Sequence, residues 1–175
     1  MREDQNRQLR LQTARLTLVA CTAEFVDALG KGPSEAGQLL GADIPADWPD
    51  AELAEFLPIY ATQLRDDPST LGYGIWLVVA DQAQALIGSA GFQGKPDDQG
   101  SIEIGFGVHP DFRHAGYATE AVNALLSWAR LQTDVRAVIA HCDPSNPASI
   151  RVLEKAGMRT TEGRDNLLAW STEPV

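Results

Sequence analysis

At 175 residues, 44% hydrophobic and 22% charged, the chain has the make-up of one globular domain, long enough to bury roughly 70% of the surface that its unfolded form exposes. With 14 basic against 24 acidic residues its net charge is −10, which repels nucleic-acid phosphates and suits a cationic partner. No apolar run reaches the ~20 residues of a membrane span, and the polar opening MREDQNRQLRLQ lacks the apolar core of a secretory leader, so a cytoplasmic protein is expected.

Cys21 and Cys142 stand far apart without a C-x-x-C partner, and His109, His114 and His141 show no metal-ligand spacing. Neither a disulfide nor a metal site is expected. Residues 1–12 read as a loose polar arm. Arg15 to Val19 alternates as a strand, and Thr22 can cap a helix running to about Leu29, which Gly30, Gly32 and Pro33 stop. A short helical piece, Ser34 to Leu40, precedes the turn-rich GADIPADWPD. Asp50 can cap a further helix with the stripe Leu53, Phe56, Leu57, Tyr60 and Leu64, in which Pro58 should cause a kink or a split. Asp43 to Asp67 holds seven acids against the single base Arg65; it is either a solvated face or an electrostatic guide for a cationic acceptor.

Ile75–Ala80 and Ala85–Phe92 read as an antiparallel hairpin that continues, through GKPDDQG, into a third strand, Ser101–Val108. His109-Pro110 ends that strand. From Ala118, the residues Ala121, Val122, Leu125 and Ala129 follow helical spacing, so a helix begins close to Gly116. The intervening Arg113-His114-Ala115-Gly116-Tyr117-Ala118 is either an ordinary strand-to-helix turn or a phosphate cradle, with main-chain N–H groups at a helix start, a bare glycine and an arginine fork. Val135 to Cys142 reads as a core strand. Because a helix separates it from the Ser101 strand, the two should be parallel neighbours. Asn146, Pro147 and Gly157 then mark a last helix as N-cap, first turn and stop, with Ser149 on the face of Asn146. Met158–Thr161 and Leu167–Thr172 suggest a closing hairpin.

R-x-x-G-x-A after IEIGFGV, followed by NPASIRVLEKAGM, resembles the GNAT superfamily of acyl-CoA-dependent N-acetyltransferases, and within it the ribosomal-protein-alanine and -serine N-acetyltransferase branch. The likeness is strong from about Leu86 to Met158 and extends back to TARLTL at Thr13. It implies an α+β, three-layer fold: a mixed, mostly antiparallel sheet of about six or seven strands, helices on both faces, and a splayed parallel pair at the centre. It also implies acetyl-CoA as cosubstrate and a primary amine as acceptor, either a protein N-terminus or a cationic small molecule, in a monomer or homodimer. Coenzyme contacts are then expected from the main chain of Phe106, Gly107 and Val108, from Arg113, His114, Ala115, Gly116, Tyr117 and Ala118, and from Asn146 and Ser149.

Transfer from a thioester to an amine needs a held coenzyme, a deprotonated amine, a stabilised oxyanion and a protonated leaving thiolate. The Val108 N–H is the candidate oxyanion donor, where family strands carry a bulge. Glu103, conspicuous on an apolar strand, is the candidate base, through a water because five positions separate it from Val108; the alternative is a structural carboxylate that only orients the acceptor. Ser149 is the candidate thiol partner, the alternative being plain capping. Deprotonation at pH 7 costs about 1 kcal/mol for an α-amine against about 4.6 kcal/mol for a lysine, which favours an N-terminal acceptor. A non-catalytic acyl-CoA-binding domain is the competing reading. A dinucleotide site ranks lower, since no G-x-G-x-x-G follows the first strand.

Overall fold

The computed structural model describes residues 8–163 and 165–172. Its strands are β1 (Arg10–Gln12), β2 (Leu16–Ala20), β3 (Ile75–Ala80), β4 (Ala85–Phe92), β5 (Ser101–Val108), β6 (Ala137–Cys142), β7 (Arg159–Thr161) and β8 (Leu168–Ser171). They form one sheet in the order β1-β2-β3-β4-β5-β6-β8-β7. Every pairing is antiparallel except β5 with β6. Helices α1 (Ala23–Lys31), α2 (Pro33–Leu40) and α3 (Ala51–Asp66) cover one face; α4 (Tyr117–Ala129) and α5 (Pro147–Lys155) cover the other.

The unbroken apolar run of β3 follows from this layering. Ile75, Leu77 and Val79 pack under α1 and α3, while Trp76 and Val78 pack under α4, so both faces of the strand are dry. At the far end of α4, Trp128 lies edge-on to Trp76 and Tyr73, with ring centroids 5.6 and 5.3 Å away, and stacks on Phe92 at 5.5 Å. This aromatic cluster fixes the C-terminal end of the helix whose N-terminal end faces the candidate site.

Four expectations need correction. Arg10–Gln12, assigned by its polarity to a loose arm, is the outermost strand, paired with Thr17–Val19; residues 1–7 lie outside the described residues. With β1 and the short β7, the described residues form a sheet of eight strands rather than six or seven. Pro58 does not split α3: it lies on the exposed side, where water can serve the carbonyl that it leaves without a donor, while Leu57, Tyr60, Ala61 and Leu64 are buried on the opposite side. Phe56 of the expected apolar stripe is 43% exposed and stacks on Tyr60.

Candidate active site

The two central strands run together for three residue pairs, Ser101 with Ala137, Ile102 with Val138 and Glu103 with Ile139, and then part. Beyond that point β5 stays paired only with β4, and β6 only with β8. The hydrogen bonds from Gln93 N to Glu103 O (3.0 Å) and from His109 N to Ile87 O (2.8 Å) set the alternation of the β4–β5 ladder. Odd-numbered main-chain groups of β5 therefore face β4, while those of Ile104, Phe106 and Val108 face the wedge between β5 and β6. Consistent with this, Val108 O points away from β4 and accepts from Arg113 Nε at 2.9 Å. The β4–β5 pairing is regular through Val108, so the bulge expected on β5 is absent there. The register shift lies between β3 and β4, where Ile87 is the extra residue. Gly88 is required beside it, since a Cβ there would sit 2.1 Å from Gly107 O.

At the mouth of the wedge, Arg113, His114, Ala115 and Gly116 are all exposed. His114 (φ 63°) and Gly116 (φ 80°) are both left-handed, so the main chain turns sharply just before α4. Helix α4 starts from Gly116, and no side chain among the described residues caps it, whereas Thr22, Asp50 and Asn146 cap α1, α3 and α5. The first N–H groups of α4, Tyr117 and Ala118 among them, thus remain available to an anion.

Arg15, which the sequence did not single out, shapes this turn. Its Nη1 donates to Ala115 O at 2.9 Å, its Nε to Glu120 Oε2 at 2.7 Å, and its guanidinium lies 4.5 Å from the centre of the Tyr117 ring. Glu120 also accepts from Thr13 Oγ1 (2.6 Å) and from the Arg15 main chain (2.9 Å). Partial burial pushes the Glu120 carboxyl up, but these hydrogen bonds and the charge of Arg15 together outweigh it and hold the group below its ordinary value. Only TARLTL, with its threonine and arginine two apart, hinted at the partnership. A cavity of about 710 Å3 borders this cluster along α4, lined in part by Thr13, Gly116, Asn123 and Lys155, and reaches neither Val108 nor Glu103.

Glu103 is half-buried on the face that α1 to α3 leave open over β5 and β6. There its Oε1 lies 2.8 Å from Nδ1 of His141, a residue that the sequence reading passed over. Beyond it the same face is floored by Gly105 and Gly107, where an added Cβ would meet nothing within 4 Å. A second cavity, about 170 Å3, is lined there by Ser89, Gly91, Gly105 and Gly107, among others. On the opposite wall Asn146 spends its side-chain oxygen on the Ser149 N–H (3.1 Å), and Ser149 stays half-buried in the first turn of α5.

The acidic segment serves the fold in part. Asp50 caps α3, Asp67 accepts from Lys95 Nζ at 3.0 Å, and Asp47 bonds His109 Nε2 at 2.9 Å, tying the segment before α3 to the end of β5. Cys21 and Cys142 are buried free thiols, and burial pushes Cys21 up to about 12.

The acetyltransferase (GNAT) domain family matches residues 15–159. The chain is 33% identical over 147 residues to YjdG, an uncharacterized N-acetyltransferase of Bacillus subtilis (strain 168), covering 84% of this chain and 88% of that one. In fold it is similar to the ribosomal-protein-S5-alanine acetyltransferase of Vibrio fischeri (TM-score 0.66, 13% identity, 94% and 96% of the two chains). It is equally similar to a RimL ribosomal L7/L12 α-N-protein acetyltransferase in complex with coenzyme A (TM-score 0.66, 16% identity, 94% and 98%). The splayed strand pair, the glycine turn at the head of α4 and these matches lead to one conclusion: the chain belongs to the GNAT acetyltransferase family and is an N-acetyltransferase.

Proposed function

We propose that the chain moves acetyl from acetyl-CoA to a primary amine, a protein N-terminus or a cationic small molecule, by direct attack within a ternary complex. The observation that carries this reading is the main-chain edge of Phe106 and Val108, turned into the wedge with no strand among the described residues paired to it. A pantetheine arm has amides that can pair with that edge, and its diphosphate can rest on the N–H groups from Arg113 to Ala118. The Arg113 Nη groups supply charge there while its Nε braces Val108 O.

With the arm so placed, the thioester carbonyl lies beside the Val108 N–H, which stabilises the oxyanion. Ser149, on the facing wall, donates toward the departing sulfur. The amine approaches over Gly105 and Gly107, on the side where Glu103 lies, and the acids of α3 favour a cation there. That a ribosomal L7/L12 α-N-protein acetyltransferase shares the fold supports an N-terminal amine as acceptor.

The test is thiol release from acetyl-CoA in the presence of hexapeptides with free N-terminal alanine or serine, and of spermidine, followed by the mass of the product. A gain of one acetyl on an amine is expected. Binding of acetyl-CoA without turnover of any amine would favour a non-catalytic acyl-CoA-binding domain instead.

A further inference from the structure

We infer that His141 is the catalytic residue that takes the proton from the acceptor amine, with Glu103 as the positioning residue that holds its ring. The inference rests on the acetyl-transfer reading above and replaces the water relay that the sequence suggested for Glu103.

Register supplies the first reason. Glu103 is opposite Ile139 in a parallel pair, so His141, two residues on, shares its face and stands level with Gly105. It is therefore three positions short of Val108 along the sheet, about 10 Å, whereas Glu103 is five positions short, about 17 Å. The imidazole therefore starts about 7 Å nearer to Val108 along the sheet than the carboxylate does.

Hydrogen bonding supplies the second. A carboxylate accepts and does not donate, so in the neutral imidazole the 2.8 Å contact assigns the proton to Nδ1 and leaves Nε2 as the acceptor. No described residue bonds Nε2. The logic is that of any histidine base whose far nitrogen is fixed by an acid. The third reason is room: the ring is 29% exposed, its neighbour on β8 is only Ala169, and the bare glycines at 105 and 107 leave space for the amine. His109 is only 9% exposed and engaged with Asp47, and His114 lies in the phosphate turn, so neither competes for the role. A hydrogen bond between two partly exposed side chains adds little net stability, so the fold alone gives slight reason for this pairing.

The protons balance. The ammonium loses one proton to Nε2, which passes it to solvent. The neutral amine then attacks the thioester carbon, a C–N bond forms, the C–S bond breaks, and the second amine proton ends on the leaving sulfur.

Two measurements test this. In the protein without coenzyme, a long-range 1H–15N spectrum at alkaline pH, assigned through His141→Gln, should show the Nδ1–H tautomer; the Nε2–H tautomer would overturn the proposal. In the thiol-release assay with alanine- and serine-initiated hexapeptides, His141→Gln should lower kcat/KM by about 100-fold, with the acetyl-CoA dissociation constant unchanged. Imidazole should restore part of the rate to His141→Gly, and Glu103→Gln should lose less than His141→Gln. A His141→Gln enzyme within about threefold of an active wild type sinks this inference alone. A wild type inert toward every amine sinks the acetyl-transfer reading and this inference with it.

Discussion

Arg15→Ala tests whether the turn from Arg113 to Gly116, the proposed coenzyme seat, is held from outside. The substitution removes two hydrogen bonds, to Glu120 and to Ala115 O, and the guanidinium over Tyr117. Charge-assisted bonds are each worth about 1.5–3 kcal/mol when dry, but the Arg15 side chain is 46% exposed, which screens them heavily. Glu120, 18% exposed, keeps Thr13 Oγ1 and the main-chain N–H of residue 15, so it is not orphaned. A net loss of about 1–2 kcal/mol is expected, which lowers Tm by about 2–8 °C in a chain of this length.

The pH dependence has a definite sign. Because the folded Glu120 carboxyl is held below its ordinary value, the cluster contributes stability above about pH 4.3 and loses it as pH falls through the lowered folded value. The wild-type advantage over Arg15→Ala should therefore shrink in acid, and also in high salt. Freed from Arg15, the Ala115 carbonyl no longer fixes the turn, and acetyl-CoA affinity by calorimetry should fall about threefold to tenfold, or about 0.7–1.4 kcal/mol. An unchanged Tm across pH refutes the electrostatic account. A lowered Tm with an unchanged dissociation constant refutes the link to the coenzyme.

Arg113→Ala should weaken acetyl-CoA binding by about tenfold or more, and Arg113→Lys by less, since it keeps charge but loses the brace on Val108 O; equal losses in titration calorimetry would deny that brace. Gly107→Val places a side chain in open space on the acceptor side, so Tm and coenzyme affinity should hold while acceptor kcat/KM falls at least about tenfold. Asp47 is held below its ordinary value, chiefly by its hydrogen bond with His109. That contact is therefore formed above the usual aspartate range and lost as pH falls through the lowered value. Amide exchange of residues 44–49 should be faster in Asp47→Asn than in wild type at about pH 6, with the two converging as pH falls through the lowered Asp47 value.

Where local chemistry decides, the chain is readable. β4 and β5 begin and end as expected because turn residues bound them, and α4 starts beside Gly116 because its apolar residues repeat at helical spacing from Ala118. The cap of α5 by Asn146 follows equally from residue type. Where distant segments decide, reading stops. Arg15 and Glu120 are 105 positions apart, and Glu103 meets His141 only through a parallel register that no short window contains. β1 was missed for a different reason. An edge strand of three residues, none of them buried, leaves no hydrophobic pattern to find.

Strand β5 puts its tasks on separate surfaces. Even-numbered side chains from Ile102 to Phe106 go to the core, odd-numbered ones to the open face, and the backbone edge at Ile104, Phe106 and Val108 faces the wedge. Substitution can rewrite side chains but scarcely alters a peptide group. On the acetyl-transfer reading proposed above, acceptor preference can therefore drift through positions 105 and 107 while the acyl donor keeps its seat, and a lineage of such proteins changes clients without altering how the donor is held.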